Sequence, residues 1–330
     1  VHLLIRVARD DNSIGTRGTS IDIPTSAVDS KPITKDIATN GEGTIDISSL
    51  IVDCDNRMID NLGGIFATAR NRGFPSFQMN IYDTKADIWI SKYIKSHGCW
   101  ECDLVGMILR TMRDTPNSFL LDMGGNIGMY SLSVSAMGRE AYAFEPVKMN
   151  QNKICGTVVK NSFQNLTTLF GTALSDREEI LHFQQLKQQL GKGHNMGGIS
   201  LNKTSMGAVG EKYVDYSPAV SIDQLSKHLP SPEGRSVVIK IDNEGAECAT
   251  LNGAIDYLSS LPIELVVMES NYDRLIDCQD KVFPLLLKNG LKPYKKGSYS
   301  ELDVNKFDPG HWNLGAGSDI IWSKKRPQQL

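Results

Sequence analysis

The stretch from Phe119 to Val134 constrains the fold more than any other part of the chain. An apolar run ends in Asp122, a glycine-rich turn follows at 124–128, and apolar residues then recur at helical spacing. Strand, tight turn and helix in this order form the first unit of a nucleotide-binding α/β fold. Glycines allow positive φ and the close approach of a ligand, and free N–H groups at a helix start favour an anionic group. The stretch therefore predicts a cofactor site.

The rest of the chain alternates strand-like and helix-like segments. The run 237–242 is apolar on both faces except at Lys240, which predicts a central parallel strand covered on both sides. The segment 320–322 and Tyr294 are predicted to close the sheet with antiparallel strands. Other predicted strands are 141–145, 166–170, 179–183 and 264–269, and predicted helices include 104–112, 148–159, 282–288 and one through Leu251 and Ile255. The predicted fold is α/β, with a doubly wound, mostly parallel, Rossmann-like sheet.

Composition divides the chain into two regions. Up to about residue 45 it is rich in Ser, Thr, Asp and Gly with little periodicity, which is typical of a stem or a loosely ordered arm. We predict an N-terminal extension, partly irregular, over 1–80 and a main domain over 81–330. The chain begins at Val1 rather than Met, and we expect a trimmed N-terminus, compatible with removal of a targeting or anchor segment.

Charge and hydropathy limit the partners. A net charge of -3 gives no reason to expect nucleic acid as the main partner. No apolar run approaches the roughly 18 residues of a membrane helix, so no membrane span is expected within this chain. The sequence leaves the oligomeric state open.

Cysteine usage leaves the compartment open. Six cysteines in 330 residues do not predict a disulfide framework. Cys99 and Cys102 form a lone C-x-x-C, without the second pair that a zinc site needs, so a redox or disulfide role is favoured over a metal. Asn165 and Asn202 begin N-x-T glycosylation sequons, which arise often by chance. Cytoplasm and secretory pathway both remain compatible with the sequence.

The residues around the turn discriminate between cofactors. A dinucleotide fingerprint G-x-G-x-x-G requires glycine where Asn126 and Met129 stand. Glu145 ends the next predicted strand, where an acid can bind both ribose hydroxyls. Asp122, an acid before the turn, suits a positively charged ligand and repels a pyrophosphate. These features favour S-adenosylmethionine over NAD, against the simpler interpretation that Asp122 caps the turn and Glu145 is a solvated strand end.

Several motifs together resemble the FkbM family of S-adenosylmethionine-dependent methyltransferases. They follow the order and spacing of that family across roughly 119–325, and the most specific is Ile239–Glu247, with the sequence I-K-I-D-N-E-G-A-E. The others are Asp122–Gly128, Phe144–Pro146, Ala173–Asp176, Val220–Asp223 and Val267–Glu269, with Gly98–Glu101 resembling a segment that precedes the domain. The resemblance implies a class I methyltransferase acting on a hydroxyl of a sugar, glycan or natural product.

The same resemblance implies the cofactor contacts. The turn would hold the methionine end of S-adenosylmethionine, Glu145 would bind the ribose, and 173–176 would lie near the adenine. The implied cofactor-binding residues are Asp122, Gly124, Gly125, Asn126, Gly128, Glu145, Ala173 and Asp176.

Methyl transfer to a hydroxyl requires alignment of three atoms and removal of a proton. The acceptor oxygen, the methyl carbon and the sulfur must lie in line, and a base or a divalent metal is expected near the methyl. In an open α/β sheet that place is the carboxyl end of the central strands. The predicted catalytic residues are Asp242, Glu244 and Glu269, with His194 from a loop that resembles a family segment folding over the site; no metal ligands are assigned.

Each candidate also has a structural interpretation. Asp242 could cap the following helix, and Glu247 could be favoured in a first helical turn by the helix dipole alone. Lys240 is expected to pair with a carboxylate such as Asp242 or Glu269, because a buried charge needs a partner. Core or sheet-edge packing is favoured over sugar binding for Trp89, Trp100, Trp312 and Trp322.

Two other functional hypotheses remain at this stage. The chain could be a binding or structural module that keeps the fold without catalysis, since a fold alone does not establish an activity. A weaker hypothesis is an NAD-dependent oxidoreductase, which the misplaced glycines count against.

Overall fold

A computed structural model describes residues 44–56, 64–184, 213–270, 272–307 and 318–327. All of them belong to one unit that begins at Ala38. The candidate His194, the sequon at Asn202 and Trp312 lie outside the described residues.

The described residues form strands and helices in alternation. The strands are β1 Ile65–Ala69, β2 Phe77–Ile81, β3 Ser118–Met123, β4 Ala141–Phe144, β5 Thr167–Phe170, β6 Ala173–Leu174, β7 Glu179–Gln184, β8 Tyr213–Val220, β9 Ser236–Ile241, β10 Ile263–Ser270, β11 Lys292–Lys295 and β12 Ser318–Ser323. The α-helices are α1 Ile90–His97, α2 Cys102–Asp114, α3 Met129–Ala136, α4 Lys148–Asn161, α5 Ile222–Leu225, α6 Glu247–Asn252, α7 Ile255–Ser259 and α8 Val282–Lys288. Short 3₁₀ helices are Ile47–Leu50, Ser226–His228, Tyr272–Cys278 and Val304–Lys306.

A seven-stranded sheet in the order β11-β12-β10-β9-β3-β4-β5 forms the centre of the fold. The neighbours from β10 to β5 pair in parallel, whereas β12 runs antiparallel to both β10 and β11. This confirms the predicted α/β fold with a mostly parallel, doubly wound sheet. Of the two strands predicted to close the sheet, β12 runs antiparallel to the others, whereas β11 runs in the same direction as β10. Numbered within the sheet, the order is 3-2-1-4-5-7-6, which differs from the dinucleotide-binding order 3-2-1-4-5-6 by one inserted antiparallel strand.

The central strands are buried because their sequences are apolar on both faces. Every residue of β3 is buried, and β9 is buried from Val237 to Ile241. Core side chains of α2, α3, β9 and β10 pack in one cluster that includes Leu104, Leu132, Val238 and Leu265. Because β4, β3, β9 and β10 run parallel, their carboxyl ends lie at one edge of the sheet, and polar residues lie at this edge.

The predicted helix through Leu251 and Ile255 is in fact two short helices, α6 and α7. They separate at Gly253, where a Cβ would overlap the carbonyl oxygen of Ser175. The segment therefore turns to pass close to the loop after β6, which the helical spacing of its apolar residues did not indicate. The packing interpretation is likewise wrong for Trp89, whose side chain is 57% exposed.

A smaller sheet follows β5 in the chain. Its order is β6-β8-β7, with β8 parallel to β6 and antiparallel to β7. The predicted added strand at 179–183 is therefore confirmed, and β6 brings Ala173 to the carboxyl edge of the main sheet.

The described part of the N-terminal region packs against the main sheet. Val52 donates its backbone N–H to Leu169 (2.8 Å), and Gly171 donates to Leu50 (2.7 Å), so residues 50–52 run along the open side of β5. Strands β1 and β2 pair antiparallel, and the N–H of Asn80 in β2 donates to Thr157 Oγ1 of α4 (2.9 Å). Covering an edge strand in this way removes a template for unwanted pairing.

The expectation that the cysteines form no disulfide framework is wrong. All six are paired, as Cys54–Cys155, Cys99–Cys102 and Cys248–Cys278. Cys54 and Cys155 are 101 residues apart, and they meet because the segment after residue 50 passes over α4. Such pairing follows from tertiary approach, which cysteine count and spacing do not reveal.

None of the helices in the described part of the chain combines the length and hydrophobicity needed to span a bilayer.

Candidate functional site

A cleft opens at the carboxyl edge of the sheet, above the ends of β3, β4 and β9. Together with the open space at its mouth it measures about 650 Å³. Its lining residues are Gly124, Asn126, Phe144, Glu145, Pro146, Val147, Thr172, Ala173, Leu174, Asp242, Asn243, Glu244 and Ala246.

The glycine turn closes the floor of the cleft. The N–H groups of Gly124 and Gly125 both donate to the carbonyl of Phe144, at 3.1 and 2.9 Å, which fixes the turn against the end of β4. Gly124 has φ +86°, and a Cβ there would overlap the backbone carbonyl oxygen of Asp242. Only glycine lets the turn approach the end of β9 this closely.

The carboxylate of Glu145 lies against the glycine turn, at Asn126. Its Oε2 accepts from the Asn126 N–H (2.7 Å), while Oε1 accepts from the Val147 N–H (2.8 Å) and from Asn150 Nδ2 (3.2 Å). Burial raises the pKa of Glu145 to about 7, although these hydrogen bonds act in the opposite direction. Carboxylate oxygens accept more than one hydrogen bond each, so a held carboxylate at the cleft wall can still bind hydroxyl groups.

Asp122 lies under the turn rather than in the cleft wall. It is fully buried, and its Oδ2 accepts from the Ser131 N–H in α3 (3.0 Å). Burial raises its pKa, opposed by the ammonium of Lys240, whose Nζ lies 3.8 Å from Oδ1. Asp122 therefore joins strand, helix and Lys240 and does not line the cleft.

Lys240 lies between the buried Asp122 and Asp242 in the cleft wall. Its Nζ donates to the Gly124 carbonyl (2.6 Å) and lies 3.6 Å from Asp242 Oδ2. Burial alone would lower the pKa of Lys240, but the carboxylates of Asp242 and Asp122 outweigh it and raise the pKa. The expected pairing of Lys240 with Asp242 is confirmed, and it fixes the turn to the strand end that bears Asp242.

Three carboxyl groups converge at the end of β9 and β10. One oxygen each from Asp242, Glu247 and Glu269 lies within 4.8 Å of the others. Glu247 Oε1 accepts from the N–H groups of Asn243 (3.0 Å) and Gly245 (2.8 Å), so this side chain holds the turn after β9. Oxygen ligands of this kind are those that Mg²⁺ and Ca²⁺ prefer, so the group could also hold a divalent ion.

Glu269 is the most strongly perturbed member of this group. Burial, followed by the Asp242 carboxylate, raises the pKa of Glu269 to about 9. Protonated Glu269 donates a hydrogen bond to Asp242, as expected where two carboxyl groups share a confined site. At neutral pH Glu269 thus holds a proton, next to the cleft.

Replacing Glu269 by glutamine is expected to change how stability depends on pH. Folded Glu269 keeps its proton up to about pH 9, whereas its ordinary pKa is 4.5. The folded state therefore binds more protons between these values, and this group makes the wild type less stable as pH rises. Thermal unfolding should show Glu269→Gln more stable than the wild type at pH 8.5, with no such gain at pH 5.

Glu264→Gln is the control for this prediction. Glu264 lies on β10, as Glu269 does, but its carboxylate pairs with Lys324 Nζ (2.7 Å), away from the three converging carboxyl groups. Glu264→Gln therefore shows how replacing a carboxylate by an amide changes thermal stability by itself. Equal gains for Glu269→Gln at both pH values would contradict the prediction.

A second polar network continues along the same edge towards β12. Tyr130 donates its hydroxyl to Glu101 Oε2 (2.7 Å), and Lys296 Nζ lies 3.6 Å from Glu101 Oε1 and 2.5 Å from Asp319 Oδ2. The Tyr130 ring faces Lys240, whose Nζ is 5.4 Å from the ring centroid. Burial raises the pKa of Asp319 to about 6, against the effect of Lys296. These groups therefore share an electrostatic environment with the cleft.

Sequence reasoning missed most of this second network. Glu101 belongs to a segment singled out for its family resemblance, but no role was predicted for its side chain. No local pattern marks Tyr130, Lys296 or Asp319, which come from three separate elements. Whether these three side chains meet depends on where β11 and β12 join the sheet.

The structure brings only part of the predicted site together. Gly124, Asn126, Glu145, Ala173, Asp242 and Glu244 line the cleft, and Glu269 approaches it through Asp242. Gly125 and Gly128 shape the turn without lining the cleft; Gly128 has φ +90° and a Cβ there would press on Leu132. Asp176 lies at the surface, 3.4 Å from Arg177, and does not line the cleft.

Comparisons with known proteins find only remote similarity. No family model matches the chain, and no curated protein matches it. Similar solved structures include a precorrin-6y C5,15-methyltransferase from Geobacter metallireducens GS-15, at 12% identity, covering 68% of this chain and 88% of that one with a TM-score of 0.33. An rRNA methylase from Streptococcus thermophilus matches at 9% identity, covering 67% and 96%, with a TM-score of 0.34. The site itself must therefore support any function.

Proposed function

We propose that the chain is an S-adenosylmethionine-dependent methyltransferase that acts on a hydroxyl of a sugar, glycan or natural product. The observation that carries the proposal is the charge of the cleft. Its described lining contains the carboxylates of Glu145, Asp242 and Glu244 and no lysine or arginine. Such a wall attracts a ligand with a sulfonium and an α-ammonium group and repels a pyrophosphate.

The residues of the cleft fit the parts of this cofactor. Glu145 would accept hydrogen bonds from the two ribose hydroxyls, and the turn at Gly124 and Asn126, with Asp242, would hold the methionine portion. Ala173 would lie near the adenine. Asp122 would act indirectly, by fixing Lys240 and the turn. When bound, the cofactor supplies a methyl group already activated by the positive sulfur.

The protein's own contribution to the reaction is alignment and proton removal. A hydroxyl acceptor would have to lose its proton on taking the methyl group that the cofactor would supply. We assign the proton to the Asp242 carboxylate, at the cleft wall and hydrogen bonded to Glu269. Glu244, in a left-handed conformation at φ +52°, lines the same wall and is the second candidate base.

The FkbM family and the domain limits are part of the proposal. The motif Ile239–Glu247 forms the end of β9, the turn and the start of α6, which is the part of the chain that supplies Asp242 and Glu244. We propose the methyltransferase domain over 81–330, with its core at 119–325. Within the extension, residues 50–52 would stabilise this domain by covering β5.

Cofactor binding tests the proposal directly. Calorimetry should show S-adenosylhomocysteine binding to the wild type with micromolar affinity, roughly −8 kcal/mol. Glu145→Gln should weaken binding about 10- to 100-fold, because two hydrogen bonds to a charged acceptor are lost. The wild-type affinity should also rise between pH 6 and 8, as Glu145 ionises with its pKa of about 7, and Glu145→Gln should not show this rise.

Glu140→Gln is the matched control for this experiment. Glu140 directly precedes β4, the strand that Glu145 follows, so it lies at the opposite edge of the sheet. Its carboxylate binds Arg235 (2.9 Å), and Glu140→Gln should leave the affinity for S-adenosylhomocysteine unchanged. A folded chain that binds no S-adenosylhomocysteine, or that prefers NAD, would contradict the proposal. Tight binding without transfer to any acceptor in a broad hydroxyl screen would favour a non-catalytic module.

The disulfides support a proposal on compartment. All six cysteines are paired, and disulfides persist in oxidising environments and are rare where thiols are kept reduced. We therefore place the protein in an oxidising compartment, such as the secretory pathway.

A further inference from the structure

We propose that Asn165 carries an N-linked glycan. The inference rests on the oxidising compartment proposed above and is independent of the methyltransferase activity. Asn165 begins the sequon Asn165-Leu166-Thr167, in a chain whose six cysteines are all in disulfides. The sequence alone does not distinguish a glycosylated sequon from a chance match, because N-x-T triplets arise by chance in many buried or structured segments.

The position of Asn165 in the fold is what favours a glycan. It lies in the turn of residues 164–166 between α4 and β5, and its side chain is exposed. No described residue forms a hydrogen bond with the Asn165 side chain, whereas its neighbour Gln164 is bound to Asp55 (3.0 Å). The amide therefore points to solvent without a structural task, as a bulky hydrophilic modification requires.

The surroundings also tolerate a large substituent. The turn lies at the amino end of β5, and the cleft residues Thr172 and Ala173 follow its carboxyl end. At about 3.3 Å per residue of strand, the glycan would begin roughly 20 Å from the cleft. It would leave the cofactor site open and would shield the end of β5 at which the covering segment, with Cys54 and Asp55, is attached.

The third residue of the sequon has a separate role in the folded chain. Thr167 is buried, and its Oγ1 lies 2.7 Å from Ser135 Oγ of α3. The hydroxyl that the sequon requires is thus enclosed once β5 has joined the sheet, so glycan transfer has to precede folding of this turn. This matches addition to a chain entering an oxidising compartment.

Peptide mapping of protein from its native cells tests the inference. Trypsin releases residues 161–177, which contain Asn165 and no other sequon. After enzymatic removal of N-glycans in heavy-oxygen water, we expect this peptide with Asn165 converted to a labelled aspartate. Recovery of the peptide only in unmodified form, from a chain whose cysteines are disulfide-bonded, would overturn the inference.

Variants expressed in eukaryotic cells separate the two sequons and the compartment. Asn165→Gln should lose a glycan-dependent shift in gel mobility that Thr167→Ser, which keeps the sequon and the hydroxyl, retains. Asn202→Gln shows whether a shift belongs to the other sequon instead, and an undiminished shift in Asn165→Gln would overturn the inference. Free thiols in the native protein would overturn it as well, and would do so without bearing on S-adenosylhomocysteine binding.

Discussion

Gly124→Ala is expected to reduce S-adenosylhomocysteine affinity more than about 100-fold, the largest effect of any single substitution we predict at the cleft. The new Cβ would overlap the Asp242 carbonyl oxygen and lie 2.7 Å from Asn243 Oδ1. Both atoms belong to the turn after β9, so the floor of the cleft and the wall bearing Asp242 would be pushed apart. A displacement of about 1 Å at such a site can cost 100-fold in function.

Two separate costs contribute to this substitution. Alanine at φ +86° is strained by about 1–2 kcal/mol wherever it occurs. The overlap with Asp242 adds a cost only at Gly124, and it also disturbs Lys240, which donates to the Gly124 carbonyl. Calorimetric titration of the variant, with thermal unfolding of the same sample, measures both the binding loss and the stability loss.

Gly138→Ala separates the two costs. Gly138 has φ +75°, and nothing lies within 4 Å of the position its Cβ would take. It should therefore lose stability through backbone strain alone and bind S-adenosylhomocysteine as the wild type does. If Gly124→Ala bound as tightly as Gly138→Ala, the close approach of the turn to β9 would have no role in the site.

The sequence predicted the parts of the site that depend on local pattern. The strands β3 and β9 were recognisable because both faces are apolar, and a parallel strand covered on both sides must place the residue after its end at the sheet edge. That argument located Asp242 at the cleft, and the position of Glu145 at the end of the strand after the glycine turn located Glu145 there. The glycine pattern located the turn, because positive φ at Gly124 and Gly128 needs residues without a side chain.

The sequence could not predict what depends on tertiary approach. Asp122 and Asp242 both stand at strand ends, yet one is buried under the turn and the other lines the cleft. The difference lies in which way each side chain leaves the sheet and in Lys240, which is placed between them. For the same reason the pairing of Glu101 with Lys296 had no signal in either segment.

Removing the disulfide Cys54–Cys155 is expected to cost more stability than removing Cys248–Cys278. In the chain-entropy account, a cross-link that closes roughly 100 residues stabilises by about 4.7 kcal/mol and one that closes 30 by about 3.6 kcal/mol. The separations here are 101 and 30 residues. Urea unfolding of the wild type, Cys54→Ala/Cys155→Ala and Cys248→Ala/Cys278→Ala, each fitted with its own m-value, gives the two losses.

Packing favours the opposite order, because Cys248 and Cys278 are both buried whereas Cys54 is only half-buried beside the buried Cys155. The Cys54 bond has a further effect, since it anchors the segment that covers β5. Amide exchange at Val52 and Gly171, whose N–H groups bond across this contact, should accelerate in the first variant and stay unchanged in the second. A larger stability loss from the shorter loop, with protected amides at Val52 and Gly171, would show that the covering segment holds without its disulfide.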